Sequence, residues 1–462
     1  MRPLVAPLVA SLLALASPRP AGAEAPPRVS FSAQRTTLDN GLELYVEESR
    51  RAPLVAIQIS FHVGSADDPA GRKGMARLVR ELLADPSTRH VARKVVPEMF
   101  RALGTEHWTT IVDLTPDRTT LTLVVPQNEL ELALWFHADQ MGFGLDGMDQ
   151  PTITAKRDAI EAQRQAELER VAYGTLPAVV RQALYPEGHP YRAGVSGNAG
   201  DLASISPAEL RAHVRKYYGP SNATVILVGD VEAARAKELV TKYFGPIPKT
   251  AAPPRVTAPP ITLDGEKRVR VEAHVDHARV LIAWPSPALF ADGDPALDAA
   301  YHLLSDAHEG RLVKRMAESK LAVDAGSRQR SAALGSQFEI DVTVAEGKKP
   351  DDVIAAIDDE IDKLKGTPLA DASLALVQKE LLRTTAWGGE TLQGRAAQLG
   401  YFQHHRGDPT FVNSYLASYA SLTVADVQRT VGSVLGTKKR VVVIVTPNGA
   451  APRGGRVVEG GS

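Results

Sequence analysis

Twelve histidines and no cysteine set the chemistry that this 462-residue sequence can carry. Without thiols there is no disulfide, no thiol nucleophile and no thiolate metal site. Histidine ligands for zinc need a spacing that places two rings on one helix face, as in H-x-x-E-H or H-E-x-x-H, and neither pattern occurs. His404 and His405 are adjacent and would point apart on a helix, while His302 and His308 are six apart. Single histidines such as His62, His107, His137 and His189 read as structural or surface positions. Gly-x-Ser-x-Gly is absent as well, which removes the serine nucleophile elbow, and the Gly-rich segments read as turns or tail rather than phosphate loops.

The elements that would position any site are legible from periodicity. Asn40-Gly41 marks a turn into a strand through Val46, and Val55 to Phe61 is a second strand with β-branched residues on alternate positions. Gly74 to Ala84 follows as a helix with Met75, Leu78, Val79 and Leu82 on one face. On its other face Arg77 and Glu81 stand four apart, so they can pair along the helix for about 0.2 to 0.5 kcal/mol. A strand over Thr119–Val125, helices over Leu130–Met141 and Ile153–Leu168, and a strand over Ala223–Val228 complete an interleaved pattern, so the class is α+β.

Six prolines between Pro246 and Pro260 exclude helix and central strand there, which makes residues 246–262 an interdomain linker. The expected organisation is therefore a domain over 24–245 and a second over 263–447 that repeats the grammar of the first. Strands at Val280–Trp284, Phe338–Val344 and Val441–Val445 alternate with helices at Pro295–Ser305, Arg311–Glu318 and Pro350–Leu364. Residues 448–462 are rich in Gly and lack periodicity, so they are expected to be a disordered tail.

Arg2, the apolar run Leu4–Ala16 and the small residues Ala21-Gly22-Ala23 predict a signal peptide over 1–23. The apolar run is shorter than the roughly 20 residues of a spanning helix, so no membrane anchor is expected after cleavage. The chain should be exported, to the periplasm of a Gram-negative bacterium or otherwise secreted. A net charge of −1, with no Lys/Arg run interleaved with aromatics, excludes nucleic acid as the expected partner.

Several blocks, in order, resemble the insulinase/pitrilysin-type (inverzincin) zinc peptidases. His62-Val63-Gly64-Ser65 followed by Gly74-Met75-Ala76 resembles the opening of their active-site helix. Leu130–Met141, Lys156–Ile160 with Tyr173-Gly174, His189-Pro190-Tyr191, Tyr217–Val231, Gly394-Arg395-Ala396 and Leu422–Val427 continue the likeness over roughly residues 30 to 447. The resemblance implies two related α+β domains, each a sheet packed with helices, that together form half of a clam-shaped chamber. Active members hold zinc with the two His of H-x-x-E-H and a distal Glu, the motif's own Glu activating water.

Placing Gly74-Met75-Ala76 in that register puts Arg77 and Glu81 at the His positions and Arg80 at the base. Tyr173-Gly174 likewise puts Gln163 at the distal Glu. Arginine has no lone pair for a metal and does not deprotonate in proteins, so no metal ligand, no cofactor and no catalytic residue is expected. The family's substrate-holding Arg corresponds to Arg315, but the Tyr expected seven residues later is replaced by Val323 at a spacing one residue longer.

The resemblance therefore implies a non-catalytic homologue, the accessory subunit of a zinc peptidase that handles unfolded peptides, paired with an active homologue or with a second copy of itself. Two other readings stand beside it. One is a scaffold or peptide-binding protein without a protease role, using the chamber walls as an assembly surface; as a separate alternative to their pairing along the helix, Arg77 and Arg80 would form a cationic patch gripping acidic groups on a peptide or partner. The other is an active zinc metalloendopeptidase whose motif lies in a different register.

Overall fold

Two runs of six strands build two sheets with one topology, as shown by the computed structural model. It describes residues 28–460 apart from 85–87, 93, 97, 99–100, 102–110, 144–147, 307–309, 368 and 437. The expected signal peptide, His107 and His308 lie outside the described residues.

In the first half, β1 (Gln34–Thr37), β2 (Glu43–Glu48), β3 (Leu54–Phe61), β4 (Ile111–Leu114), β5 (Thr119–Pro126) and β6 (Ala223–Gly229) are ordered β1-β2-β6-β3-β5-β4. Only β2 and β6 run parallel. In the second half, β7 (Lys267–Ala273), β8 (Arg279–Ser286), β9 (Ala322–Arg330), β10 (Ser336–Val344), β11 (Val441–Pro447) and β12 (Arg456–Gly460) are ordered β12-β7-β11-β8-β10-β9, and only β7 and β11 run parallel. The repeat expected from the sequence is thus a repeat of topology.

β12 corrects the expectation of a disordered tail. Arg456–Gly460 pairs antiparallel with β7, in the edge position that β1 takes in the first sheet. Lack of periodicity was a poor guide here because a five-residue edge strand carries little hydrophobic pattern; its order comes from main-chain pairing to a strand almost 190 residues earlier.

The helices of the first half are α1 (Met75–Leu83), α2 (Leu130–Phe143), α3 (Gln150–Glu169), α4 (Leu176–Leu184), α5 (Ala199–Ser204), α6 (Pro207–Tyr217) and α7 (Ala233–Phe244). Those of the second are α8 (Asp294–Ser305), α9 (Arg311–Glu318), α10 (Pro350–Gly366), α11 (Asp371–Trp387), α12 (Leu392–Arg406), α13 (Val412–Ala420) and α14 (Val424–Val434). Local signals start many of them. Ser206 and Glu209 form a capping box at α6 with Pro207 in its first turn, and Thr423 and Asp426 do the same at α14.

Each sheet has one face on its own helices and the other on a helix from the opposite half. Leu78, Val79, Leu134, Leu210 and Leu239 cover one face of the first sheet, while Ala396 and Leu399 of α12 pack on Tyr45, Ala56, Ile226 and Val228 on its far side. Val179, Val180 and Leu184 of α4 pack reciprocally on Val271, Leu281, Ala283 and Val443 of the second sheet. Burial on both faces explains the near-continuous apolar runs of β6 and β11. The approach of α12 is close enough that a Cβ on Gly400 would stand 2.3 Å from Gln58 Oε1 and 2.7 Å from Ile226 Cδ1, so any larger residue there would have to displace those two side chains.

Residues 246–262 run without helix or strand. Asn40 Nδ2 holds the start of this stretch by donating to Phe244 O (2.8 Å) and Ile247 O (3.0 Å).

Candidate functional site

The first turn of α1 is set by Gly74, whose φ of 105° lies in the left-handed region. Buried Asp68 accepts from Gly74 N (2.7 Å) and Ala76 N (2.8 Å), capping the helix. Burial pushes the Asp68 carboxyl up to about 7, against the pull of those two N–H groups. Met75, Ala76, Leu78, Val79 and Leu82 face the core, which leaves Arg77, Arg80 and Glu81 on the outer side.

Those three side chains meet Gln163 of α3. Arg77 Nε lies 2.9 Å from Glu81 Oε1, an ion pair whose N–H is not aimed at the oxygen, and Arg80 Nη1 lies 2.8 Å from the same Oε1. Arg77 Nη2 donates to Gln163 Oε1 at 2.9 Å, Gln163 Nε2 donates to Glu167 Oε1 at 3.3 Å, and Arg80 Nε donates to Val112 O at 3.0 Å. The four positions singled out from the sequence therefore form one cluster across α1, α3 and β4.

The donor set does not fit zinc. Of its four side chains two are guanidinium groups, which offer no lone pair, one is a neutral amide and one a single carboxylate. The oxygens that could ligate, Glu81 Oε1 and Gln163 Oε1, already face arginines, and the cluster carries a net positive charge that opposes a dication. Among the described residues no group of three His, Asp or Glu side chains is arranged to hold a metal ion.

Arg315 lies apart from this cluster, on α9, where its Nη2 is 3.5 Å from Asp359 Oδ2. Val323, which stands where the family's Tyr was expected, is exposed on β9 and carries no hydroxyl. The structure does not join Arg315 to Arg77, Arg80, Glu81 and Gln163 by any hydrogen bond or ion pair among the described residues.

Two features went unforeseen. His404 and His405 do not point apart: their rings pack edge to face with centroids 4.5 Å apart. His404 also stacks on His62 at 5.0 Å, with the two Nδ1 atoms 2.8 Å apart, so the histidines seal the junction of the halves. Burial, with Arg118 and Arg255 nearby, holds His62 down to about 4 and His405 to about 3, and pushes His404 well below its ordinary value. No spacing rule signals a contact between residues 342 apart. The second feature is a cavity of about 880 Å³ between α4 and the second sheet, into which Arg181 and Gln337 project.

Residues 204–381 match the family described as Peptidase M16 inactive domain. The Zinc protease PqqE of Helicobacter pylori is 23% identical over 427 residues, covering 90% of this chain and 93% of that protein. The crystal structure of a protease from Helicobacter pylori superposes with a TM-score of 0.82 at 21% identity, covering 90% of this chain and all of that one. The periplasmic protease PqqL from Escherichia coli superposes with a TM-score of 0.73 at 15% identity, over 92% of this chain but 48% of its own.

Proposed function

Because this chain is an insulinase/pitrilysin-type peptidase homologue without the H-x-x-E-H motif, we propose that it is a non-catalytic subunit that supplies half of a peptide-handling chamber. Its counterpart is an active homologue carrying the intact motif, or a second copy of the chain, and its cargo is short unfolded peptides. The observation that carries this reading is the cluster at Arg77, Arg80, Glu81 and Gln163, whose acceptor oxygens face guanidinium groups. The match of the chain to about half of PqqL supports a half-chamber. The predicted signal peptide supports export, with the periplasm as the compartment in a Gram-negative source.

The test is metal content and hydrolysis of a quenched fluorescent peptide library by the purified chain, alone and mixed with a homologue that carries H-x-x-E-H. The expected result is neither zinc nor turnover from the chain alone, and a stable complex with altered cleavage in the mixture. Stoichiometric zinc with turnover from the chain alone would show that the metal site lies in a different register. Absence of both association and any change in cleavage would favour a scaffold without a protease role.

A further inference from the structure

The cavity between α4 and the second sheet holds two buried polar atoms with nothing to bond. Arg181 Nε is enclosed without a partner, and among the described residues no hydrogen bond or ion pair reaches its guanidinium. Gln337, 7% exposed, donates Nε2 to Glu339 Oε1 at 2.6 Å, which leaves its own Oε1 buried and unbonded. Buried polar groups are ordinarily hydrogen-bonded, so two unmet atoms lining one cavity mark it as a place where a group of matching chemistry could bind.

The neighbouring guanidinium groups already have carboxylate partners. Arg279 makes two contacts of 2.6 Å with Asp341, and Arg330 Nε lies 2.7 Å from Glu339 Oε2, with Arg328 Nε at 3.7 Å from the same oxygen. The cavity lining contains four guanidinium groups against the three carboxylates of Glu167, Glu339 and Asp341, so it is short of one negative charge. The site is also shaped around Arg181: a Cβ on Gly194 would lie 2.6 Å from its guanidinium atoms, so the group rests on bare backbone at a φ of +70°. The remaining walls are largely apolar, with Leu176, Val180 and Leu281 among them. The volume falls within the roughly 300 to 1,000 Å³ typical of small-molecule sites.

We propose that this cavity binds a carboxylate carried on a compact apolar body, with Arg181 gripping the carboxylate and Gln337 Oε1 accepting from an N–H beside it. A peptide's C-terminal residue has this chemistry, as does a free apolar carboxylic acid. Binding needs neither zinc nor a partner subunit, so it stands or falls separately from the chamber reading above.

Fluorescence anisotropy with a dansylated tripeptide ending in leucine, against the same tripeptide as its C-terminal amide, tests this on the full-length mature chain. The free acid should bind roughly ten- to a hundredfold tighter than the amide, the span expected for a charge-assisted hydrogen-bonded pair. Arg181→Gln should lose the same factor without a lower melting temperature. Competition by 4-phenylbutyrate would mean that the carboxylate and an apolar body suffice; acid binding without such competition would mean that the peptide terminus is read. Equal affinity for acid and amide, no binding of either below about 1 mM, or full affinity in a folded Arg181→Gln chain overturns the proposal. The comparison of acid with amide needs no variant, so it decides the matter even if the substitution disturbs folding.

Discussion

Glu81 faces two guanidinium groups at once, and its side chain is about one-fifth exposed. Pairs this close to solvent are worth less than their distances suggest, because water screens them and long side chains lose entropy in forming them. Glu81→Ala should therefore lower stability by no more than about 1 kcal/mol in a urea titration; a larger loss would mean that the arginines brace the fold. The same four positions allow a sharper experiment. In a chain carrying Arg77→His, Arg80→Glu, Glu81→His and Gln163→Glu, three ligands and a base stand where the family has them, and about one zinc per chain should survive dialysis. The parent chain should retain none. Equal zinc in both chains, or none in either, would count against the register on which these assignments rest.

At the scale of elements, β12 makes the most testable contribution. Just before it, Gly454 N donates to Leu168 O (2.8 Å), while Tyr173 N and Thr175 N donate to Arg453 O (3.0 Å) and Gly454 O (3.1 Å). Thr175 Oγ1 donates to Gly454 O at 2.6 Å. At about 0.5 to 1.5 kcal/mol per hydrogen bond, these four amount to about 2 to 6 kcal/mol. A chain ending at Asn448 should melt several degrees lower and expose the edge of β7 to association, visible by calorimetry and size-exclusion chromatography; an unchanged melting temperature would mean that the strand is not paired in solution. This element also marks where reading the sequence stops working. The outward face of α1, the buried run of β6 and the amphipathic α10 follow from local periodicity, and all were legible. The strands of β9 and β12 and the helices α11 to α13 were not assigned, because their order comes from distant partners. Gly400 looks like a helix-weakening residue until α12 is seen against Gln58. The degenerate cluster could be named from the register of a few short blocks, whereas Arg181, Gln337 and the stacked histidines depend on which half packs against which.

For the whole molecule, the His62–His404 stack makes the junction sensitive to acid. Both rings have folded values depressed below the ordinary 6.5, so the unfolded chain takes up protons first as pH falls. The stability they support is present above about 6.5 and declines as pH falls below it, for His62 down to about 4, by up to about 1.4 kcal/mol per pH unit for each histidine. Asp68 and Asp298, both raised to about 7, act in the opposite sense over the same range, so total stability alone would not isolate the effect. His404→Gln should flatten the decline below pH 6.5 relative to the parent chain in parallel denaturant titrations; superimposable curves would rule the stack out as an acid-labile joint. The exchange of α4 and α12 between halves also has a consequence in time. A ribosome delivers the residues up to 245 long before residues 392–406 exist to cover the far face of their sheet, and residues 453–455, which pin the turn after α3, come later still. The first half must therefore wait, with apolar surface uncovered and prone to capture by chaperones or to aggregation, until the second half has been made. Maturation should then be limited by synthesis of the second half, and a ribosome that stalls anywhere within it leaves two unfinished domains instead of one good one.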